Sequence, residues 1–316
     1  MQPGQAPNQA QPHSAASGAS MAAPLTTAAT AQPRLHYAQP FRPAGAHGLT
    51  ASPFFTPDNR ASLQTLYDTL AALRVIAQMP ELVDETREFL IDCIEETVTG
   101  QIPGEEHESH AYTLAALRLY GVIFDGELDL QWPQRLIQAT RRDISRPRCA
   151  NWPDLLLYCR YAAEPLGRAV LQLHDVSSPE VERATDALTA SLLILNQLRR
   201  MGTDWRQHGR CYLPTDWFAE EGGTPEQLVE PKASPATRRV IDRVLDRISL
   251  LLSQAAPLPA LLNDPRLRAE AVRLLTHARY QHRQLRRQDP LAKRLSTPLS
   301  VRLLAYLNGW WAGKRG

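Results

Sequence analysis

Residues 178–214 read SPEVERATDALTASLLILNQLRRMGTDWRQHGRCYLP, and this stretch decides the fold class. It opens with Ser178 and Pro179, a typical helix start, because a serine oxygen can cap an unpaired amide and proline at the first helical position loses no hydrogen bond. Leucines then recur at intervals of three and four residues, at Leu188, Leu192, Leu195 and Leu198. That spacing places them on one face, so the stretch predicts a long helix.

The same signals recur along the rest of the chain from residue 58 onward. A small polar residue followed by proline marks three further helix starts, at Ser234-Pro235, Asp264-Pro265 and Thr297-Pro298. The helical spacing of leucines returns at Leu63, Leu66, Leu70 and Leu73. No stretch alternates between apolar and polar residues for long, so the predicted fold class is all-α.

Composition divides the chain into two parts. Residues 1–57 are dominated by Ala, Gln, Pro, Ser, Gly and Thr, contain no acidic residue and show no hydrophobic period, so they predict a disordered tail. Residues 58–316 predict one helical domain, since 43% of the whole chain is hydrophobic and can form a real core.

Charge and cysteine usage narrow the classes of partner and compartment. The net charge is only +2, which gives no reason to propose nucleic-acid binding. The four cysteines are widely spaced without a C-x-x-C pair, which favours reduced thiols in a cytoplasm. We expect neither a standard export signal nor a spanning helix, because no window approaches about 18 consecutive apolar residues.

A polar stripe lies on one face of the predicted long helix. Asn196, Arg200 and Asp204 are spaced at i, i+4 and i+8, so they share one helical face. On the residues alone, the stripe is either a solvated surface or part of a site.

Three segments carry a resemblance to a known family. They are YCRYAAEPLGR at 158–168, NQLRRMGTD at 196–204 and GRCYLP at 209–214. Together they resemble the second half of squalene and phytoene synthases, in which a Y-C segment is followed by N-x-x-x-D-x-x-x-D and by G-R-x-Y-L-P. The D-W pair and the P-x-G-R segment are most similar to squalene synthase proteins of bacterial hopanoid clusters. Weaker similarity extends from about Pro53 to the end of the chain.

The resemblance implies an isoprenoid-synthase helical bundle around a central cavity. Two aspartate-rich motifs on opposing helices of the family hold Mg²⁺ against a prenyl diphosphate. Mg²⁺ takes oxygen ligands and polarises the leaving diphosphate, so that an allylic cation forms in a dry apolar pocket. Family members join two farnesyl units through presqualene diphosphate, or rearrange that intermediate.

This chain departs from the family pattern at the aspartates. Arg200 stands at the first aspartate position of the second motif, so Asp204 is the metal-ligand candidate that this motif retains. The first motif aligns with residues 74–78, RVIAQ, which contain no aspartate; another register would place it at Asp68 or Asp84. Mg²⁺ binding is therefore in doubt.

The alignment gives the following candidate residues. The catalytic candidates are Tyr158, matching a family tyrosine associated with ionisation and proton handling, and Asp204. The diphosphate-binding candidates are Arg74, Asn196, Arg199, Arg200, Arg210 and Tyr212. Because arginine binds phosphate bidentately without a metal, one hypothesis is that Arg74 and Arg200 bind a diphosphate directly. The alternative is that the aspartates were lost through relaxed selection in a protein that no longer turns over substrate.

Two functions from different classes follow from these observations. The first is binding farnesyl or presqualene diphosphate and converting it toward squalene or hydroxysqualene. The second is a non-catalytic role as a binding or assembly partner, for instance of a paralogous synthase subunit with intact aspartates. Residues 264–316 contain twelve Lys or Arg against three acids, and with Trp310 and Trp311 they could rest on the inner face of a membrane or pack on the body.

Overall fold

The computed structural model describes residues 52–101, 111–145 and 148–314. Over these residues the chain forms α-helices and a short 3₁₀ helix, Pro225–Val229, and no strand, which confirms the all-α prediction. The α-helices are α1 (Pro57–Gln78), α2 (Asp84–Val98), α3 (Ala111–Phe124), α4 (Gln131–Ser145), α5 (Trp152–Ala162), α6 (Glu164–Gln172), α7 (Pro179–His208), α8 (Thr215–Glu220), α9 (Pro235–Ala255), α10 (Leu258–Leu261), α11 (Pro265–Arg287) and α12 (Leu299–Lys314).

The helix starts agree with the proline signals. α7, α9 and α11 begin at the predicted prolines, and α12 begins one residue after Pro298. Ser234 caps α9 by accepting a hydrogen bond from the amide of Thr237, while Asp264 caps α11 by accepting one from the amide of Arg266. Ser178 makes no side-chain cap for α7, so the prolines located these elements and capping supports only α9 and α11.

The residues just before α1 pack against helices of the body. The predicted tail lies mostly in residues 1–51, outside the described residues, but residues 52–56 pack against helices. Phe55 is 3% exposed and its ring lies 5.4 Å from that of His174. The buried Ser52 hydroxyl donates to Glu270 of α11 at 2.7 Å. Burial of an aromatic ring offsets the cost of ordering this short segment.

α7 is the central helix of the body. It packs against α5, α6, α9 and α11, and its leucines form the middle of the core, with Leu195 fully buried. Gly167 of α6 lets the neighbouring helix approach closely, because a Cβ there would lie 2.7 Å from the methyl group of Thr185. α1 packs against α2, α3 and α4, and it meets the C-terminal end of α7 at a group of polar side chains.

No helix within the described ranges has both the length and the apolar character that crossing a bilayer requires.

Candidate active site

A buried carboxylate on α4 lies at the centre of the polar group. Tyr158 of α5 donates its hydroxyl to one oxygen of Asp143 at 3.0 Å, and Tyr212 donates to the other oxygen at 3.1 Å. The two tyrosine rings are 5.2 Å apart; Tyr158 is buried and Tyr212 is half-buried. We call Asp143, Tyr158, Tyr212 and Arg210 the Asp143 cluster.

Burial is the largest influence on the pKa values of Asp143, Tyr158 and Tyr212. It raises the pKa of Asp143, against the opposing effects of Arg210, of the two tyrosine hydroxyls and of Arg74. Burial and the neighbouring Asp143 also hold the pKa of Tyr158 and Tyr212 well above the usual range. Both phenols therefore keep their protons at neutral pH, so they act as hydrogen-bond donors and not as bases.

Arg210 joins the cluster to α1. Its Nη2 donates to the carbonyl of Ala77 at 2.9 Å and its Nε donates to the carbonyl of Asp143 at 3.2 Å. Gly209 ends α7 with a φ of 61°, and this left-handed turn brings Arg210 and Tyr212 back toward α4. The side chain is 6% exposed. Arg210 is thus an internal anchor between α1 and α4; its role as a diphosphate ligand stays a prediction.

The polar stripe of α7 lies beside the cluster. Arg200 donates to Asp204 at 3.3 Å, and Asn196 lies half-buried one turn earlier on the same face. Burial raises the pKa of Asp204, while Arg200, Arg210 and Arg74 act in the opposite direction. Arg74 of α1 therefore lies within electrostatic reach of the same carboxylate as Arg200. We call Arg74 and Arg200 the guanidinium pair.

Further positive charge surrounds the end of α7. Burial lowers the pKa of His208, and Arg210, Arg200 and Arg87 lower it further, so the imidazole is neutral at neutral pH. Arg87 of α2 donates to the carbonyl of Met79 at 2.6 Å, just past the end of α1. We call the region around Asp204 and His208, which Arg74, Arg87, Arg200 and Arg210 influence electrostatically, the mouth; it contains several guanidinium groups against few carboxylates.

Comparison with known proteins identifies this arrangement. The model of the squalene/phytoene synthase family matches residues 42–303. The chain belongs to the squalene/phytoene synthase family. It is 31% identical over 245 residues to a hydroxysqualene synthase of Rhodopseudomonas palustris, covering 78% of this chain and 81% of that protein. A hydroxysqualene synthase of Sinorhizobium fredii is 29% identical over 254 residues, with coverages of 80% and 84%.

Solved structures agree with the assignment. The squalene synthase HpnC from Alicyclobacillus acidocaldarius superposes with a TM-score of 0.64 at 25% identity, covering 76% of this chain and 87% of that one. A dehydrosqualene synthase in complex with ligand shares the fold at a TM-score of 0.59 and 16% identity, with coverages of 82% and 92%. The isoprenoid-synthase-type bundle is therefore confirmed, and the relatives agree with the hopanoid-pathway branch of the family.

Not every predicted residue of this squalene/phytoene synthase family member lies at the mouth. Arg199 donates to the carbonyl of Leu295, on the side of α7 away from Asp204, because successive helical residues point about 100° apart. Asp68 accepts a hydrogen bond from Gln64 at 2.7 Å on the outside of α1, and Asp84 is exposed beside Arg87. Neither alternative aspartate joins Asp204.

Asp143 was missed in the sequence. It follows Arg141 and Arg142 in an ordinary amphipathic helix, and its side chain takes part in none of the three motif segments. Its partners Tyr158 and Tyr212 lie 15 and 69 residues away, so tertiary structure alone brings them together. A lone acid on the inner face of a basic helix was the available signal.

The donor set at the mouth does not suit a protein-held magnesium ion. Among the described residues, no three His, Cys, Asp or Glu side chains group as metal ligands. Asp204 is bonded to Arg200, and both oxygens of Asp143 already accept tyrosine hydroxyls. Mg²⁺ prefers free oxygen ligands in octahedral array, whereas guanidinium groups repel it. The chemistry of the mouth therefore favours an anion.

An open groove lies elsewhere on the body. It has a volume of about 560 Å³ between α5, α7, α9 and α10, and its lining includes Arg160, Glu164 and Arg183. The α7 residues that face it, such as Ala187, lie on the side of the helix opposite to Arg200. This groove is separate from the mouth.

Proposed function

We propose that the chain binds farnesyl or presqualene diphosphate, with the diphosphate held directly by the guanidinium pair, and converts it toward squalene or hydroxysqualene. The proposal is supported by the hydrogen bond from Arg200 of α7 to Asp204 at 3.3 Å and by the electrostatic effect of Arg74 of α1 on the same carboxylate. Guanidinium groups bind phosphate oxygens bidentately and stay charged at all physiological pH values. They can therefore stabilise a departing diphosphate without a metal.

The Asp143 cluster supplies the second part of the proposed chemistry. Because the Tyr158 proton is donated to Asp143, the lone pairs of the phenol oxygen remain available to a positive centre. Arg142 lies 5.5 Å from the ring centroid of Tyr158 and forms an ion pair with Asp154 at 2.8 Å. These contacts fix the tyrosine, so its oxygen dipole can stabilise an allylic cation after the diphosphate leaves.

The names of the relatives favour turnover over the non-catalytic alternative. Two of them are hydroxysqualene synthases matched over about four fifths of their length. No observation favours a paralogous partner, so that role enters as an outcome of the turnover test below. The ligands of such a reaction are strongly apolar, so contact with a bilayer surface belongs to the same proposal.

Isothermal titration with farnesyl diphosphate tests the direct grip. We expect binding of similar affinity with Mg²⁺ and with EDTA, and a loss of roughly tenfold or more in Arg74→Gln and in Arg200→Gln, since each removes a charge-assisted contact. Arg199→Gln is the matched control, because Arg199 is the adjacent residue on α7 and points away from the mouth. Absence of binding in both buffers, or binding that requires Mg²⁺, would refute the direct grip.

Turnover is tested with presqualene diphosphate and mass spectrometry. The purified chain is expected to form hydroxysqualene, with water taking the place of the diphosphate, and at a slower rate in Tyr158→Phe; squalene is expected only when a hydride donor, a reduced nicotinamide cofactor, is added. A product that forms only after a paralogous synthase is added would instead support the partner role.

A further inference from the structure

The outward surface of α12 carries large apolar side chains. One side of this helix packs on the body. The opposite side carries six large apolar side chains, each 39–77% exposed: Leu299, Leu303, Leu304, Leu307, Trp310 and Trp311. We call these six residues the α12 apolar surface. A helix on a globular body ordinarily turns its apolar face inward, so this arrangement is inverted.

Small residues make the inversion possible. α12 lies antiparallel to α11 and contacts it through Ala305, Gly309 and Gly313. A Cβ at Gly309 would lie 2.5 Å from the carbonyl oxygen of Ala269, and one at Gly313 would lie 2.9 Å from that of Pro265. The helix is therefore held close by its smallest side chains while its largest ones face outward.

The charge around this surface selects the class of partner. Residues 290–314 contain Lys293, Arg294, Arg302 and Lys314 and no acidic residue. All four cations are exposed, and the Lys314 ammonium lies 3.9 Å from the ring centroid of Trp310. Leucines and tryptophans flanked by lysine and arginine are the composition of a helix that lies in the plane of an anionic lipid surface.

We propose that the α12 apolar surface docks on an anionic lipid bilayer. The helix lies parallel to the bilayer, with the leucines and tryptophans among the acyl chains and the four cations at the headgroups. A second copy of the chain fits less well, because two such surfaces would bring like charges together. Residues 1–51 contain no acidic residue either, so they offer no complementary charge. Docking deepens the bilayer contact of the proposed function by assigning it to α12, and because flotation requires no turnover, either proposal can fail alone.

Vesicle flotation of the full chain tests the proposal. We expect the protein to float with vesicles of phosphatidylcholine and phosphatidylglycerol, to bind pure phosphatidylcholine vesicles at least about tenfold more weakly, and to dissociate at high salt. Leu303→Glu with Leu307→Glu should weaken binding at least about tenfold, because both side chains would enter the acyl layer. Equal binding to the two vesicle types, or unchanged binding of this variant, would overturn the proposal.

Two controls separate docking from other effects. Leu117→Glu with Leu250→Glu places the same charges at leucines of 55% and 57% exposure on α3 and α9, and it should float like the unchanged chain. Light scattering of the protein without lipid measures whether a second copy of the chain covers the α12 apolar surface instead. A dimer that dissociates in Leu303→Glu with Leu307→Glu, with no vesicle binding by either protein, would assign the surface to a second copy and overturn docking on lipid.

Tryptophan emission gives an independent measurement. Adding anionic vesicles should shift the emission of the unchanged chain to shorter wavelength, and Trp310→Phe with Trp311→Phe should abolish that shift while retaining most of the flotation. A shift that persists in this variant would locate the contact elsewhere and contradict the assignment to α12.

Discussion

The Asp143 cluster and the α12 apolar surface reverse the usual partition of side chains in opposite directions. In the cluster, Tyr158 and Arg210 are buried, and Asp143 and Tyr212 are half-buried, between α1, α4, α5 and α7. On α12, leucines and tryptophans face outward while glycines face the body. Buried polar groups require partners and exposed apolar surface requires a cover. The cluster meets its requirement within the chain, whereas α12 leaves its own to a partner.

The largest expected effect comes from removing the anchor of the cluster. Arg210→Ala leaves two buried carbonyls without their donor and Asp143 without its strongest compensating charge. We expect the free energy of unfolding to fall by about 3–5 kcal/mol, measured by urea titration. Arg206→Ala is the control, because Arg206 is exposed and makes only a 3.5 Å contact with Val229, and it should change stability by less than about 0.5 kcal/mol. Equal losses in both variants would contradict the anchoring role.

His277 in α11, the helix that packs against α12, gives the α12 region a pH-dependent stability that can be measured. Burial lowers the pKa of His277 to about 4, and Arg273, Arg199 and Arg302 lower it further. Between pH 6.5 and 4 the unfolded chain binds a proton that the folded chain does not, so stability falls as pH falls through this window. The loss amounts to at most about 3 kcal/mol.

The measurement compares the unchanged chain with His277→Gln. Glutamine can keep a hydrogen bond to Gln281, which His277 contacts at 2.8 Å, but it does not titrate. The difference in unfolding free energy between the two proteins should therefore change with pH between 6.5 and 4 and stay constant above pH 7.5. A difference independent of pH would mean that His277 titrates normally.

Close packing of α12 gives the next effect in size. Gly309→Ala places a methyl group 2.5 Å from the carbonyl of Ala269 and 3.1 Å from the ring of Phe54, so α12 must shift. We expect a loss of about 1–3 kcal/mol in thermal or urea unfolding. Gly121→Ala in α3 is the matched control: nothing lies within 4 Å of its Cβ, so helix propensity should stabilise it by about 0.5–1 kcal/mol. A neutral Gly309→Ala would mean that α12 is loosely held.

The same contrast explains what the sequence could and could not reveal. Periodicity and helix-start signals are local, so the start of α7 and the shared face of Asn196, Arg200 and Asp204 could be predicted. The partners of Asp143 are distant in sequence, so only the packing of α4 on α5 could reveal them. Adjacent arginines in α7 were grouped by sequence, but helical geometry separates Arg199 from Arg200.

The sequence also left open which face of α12 packs on the body and which faces outward. Composition identified a basic, aromatic C-terminal segment, but it could not determine which side chains pack. The two glycines settle this point, because only their side of the helix can approach the backbone of α11 closely. Sequence reasoning therefore fails where a contact depends on shape rather than on polarity.

The smallest expected effect comes from removing one hydrogen bond within the Asp143 cluster. Tyr212→Phe removes one hydroxyl from Asp143 and should cost about 1 kcal/mol at neutral pH. Tyr306→Phe is the control, since this ring stacks on Phe54 at 5.4 Å on the surface and should tolerate the loss of its hydroxyl. Equal costs in the two variants would remove the distinction between the buried and the exposed region.

The pH dependence of that small cost gives the sharper result. The pKa of Asp143 is already raised by burial, so the folded chain binds a proton more readily than the unfolded one and stability falls as pH rises from 3.8 through the folded value. Because the Tyr212 hydroxyl opposes this shift, its removal raises the pKa further and extends the loss to higher pH. Tyr212→Phe should therefore cost less at pH 5 than at pH 7, measured by urea unfolding at both. A cost that is larger at pH 5 would mean that Tyr212 stabilises the protonated acid, and the Asp143 cluster would then be a chain of neutral hydrogen bonds instead of a compensated buried charge.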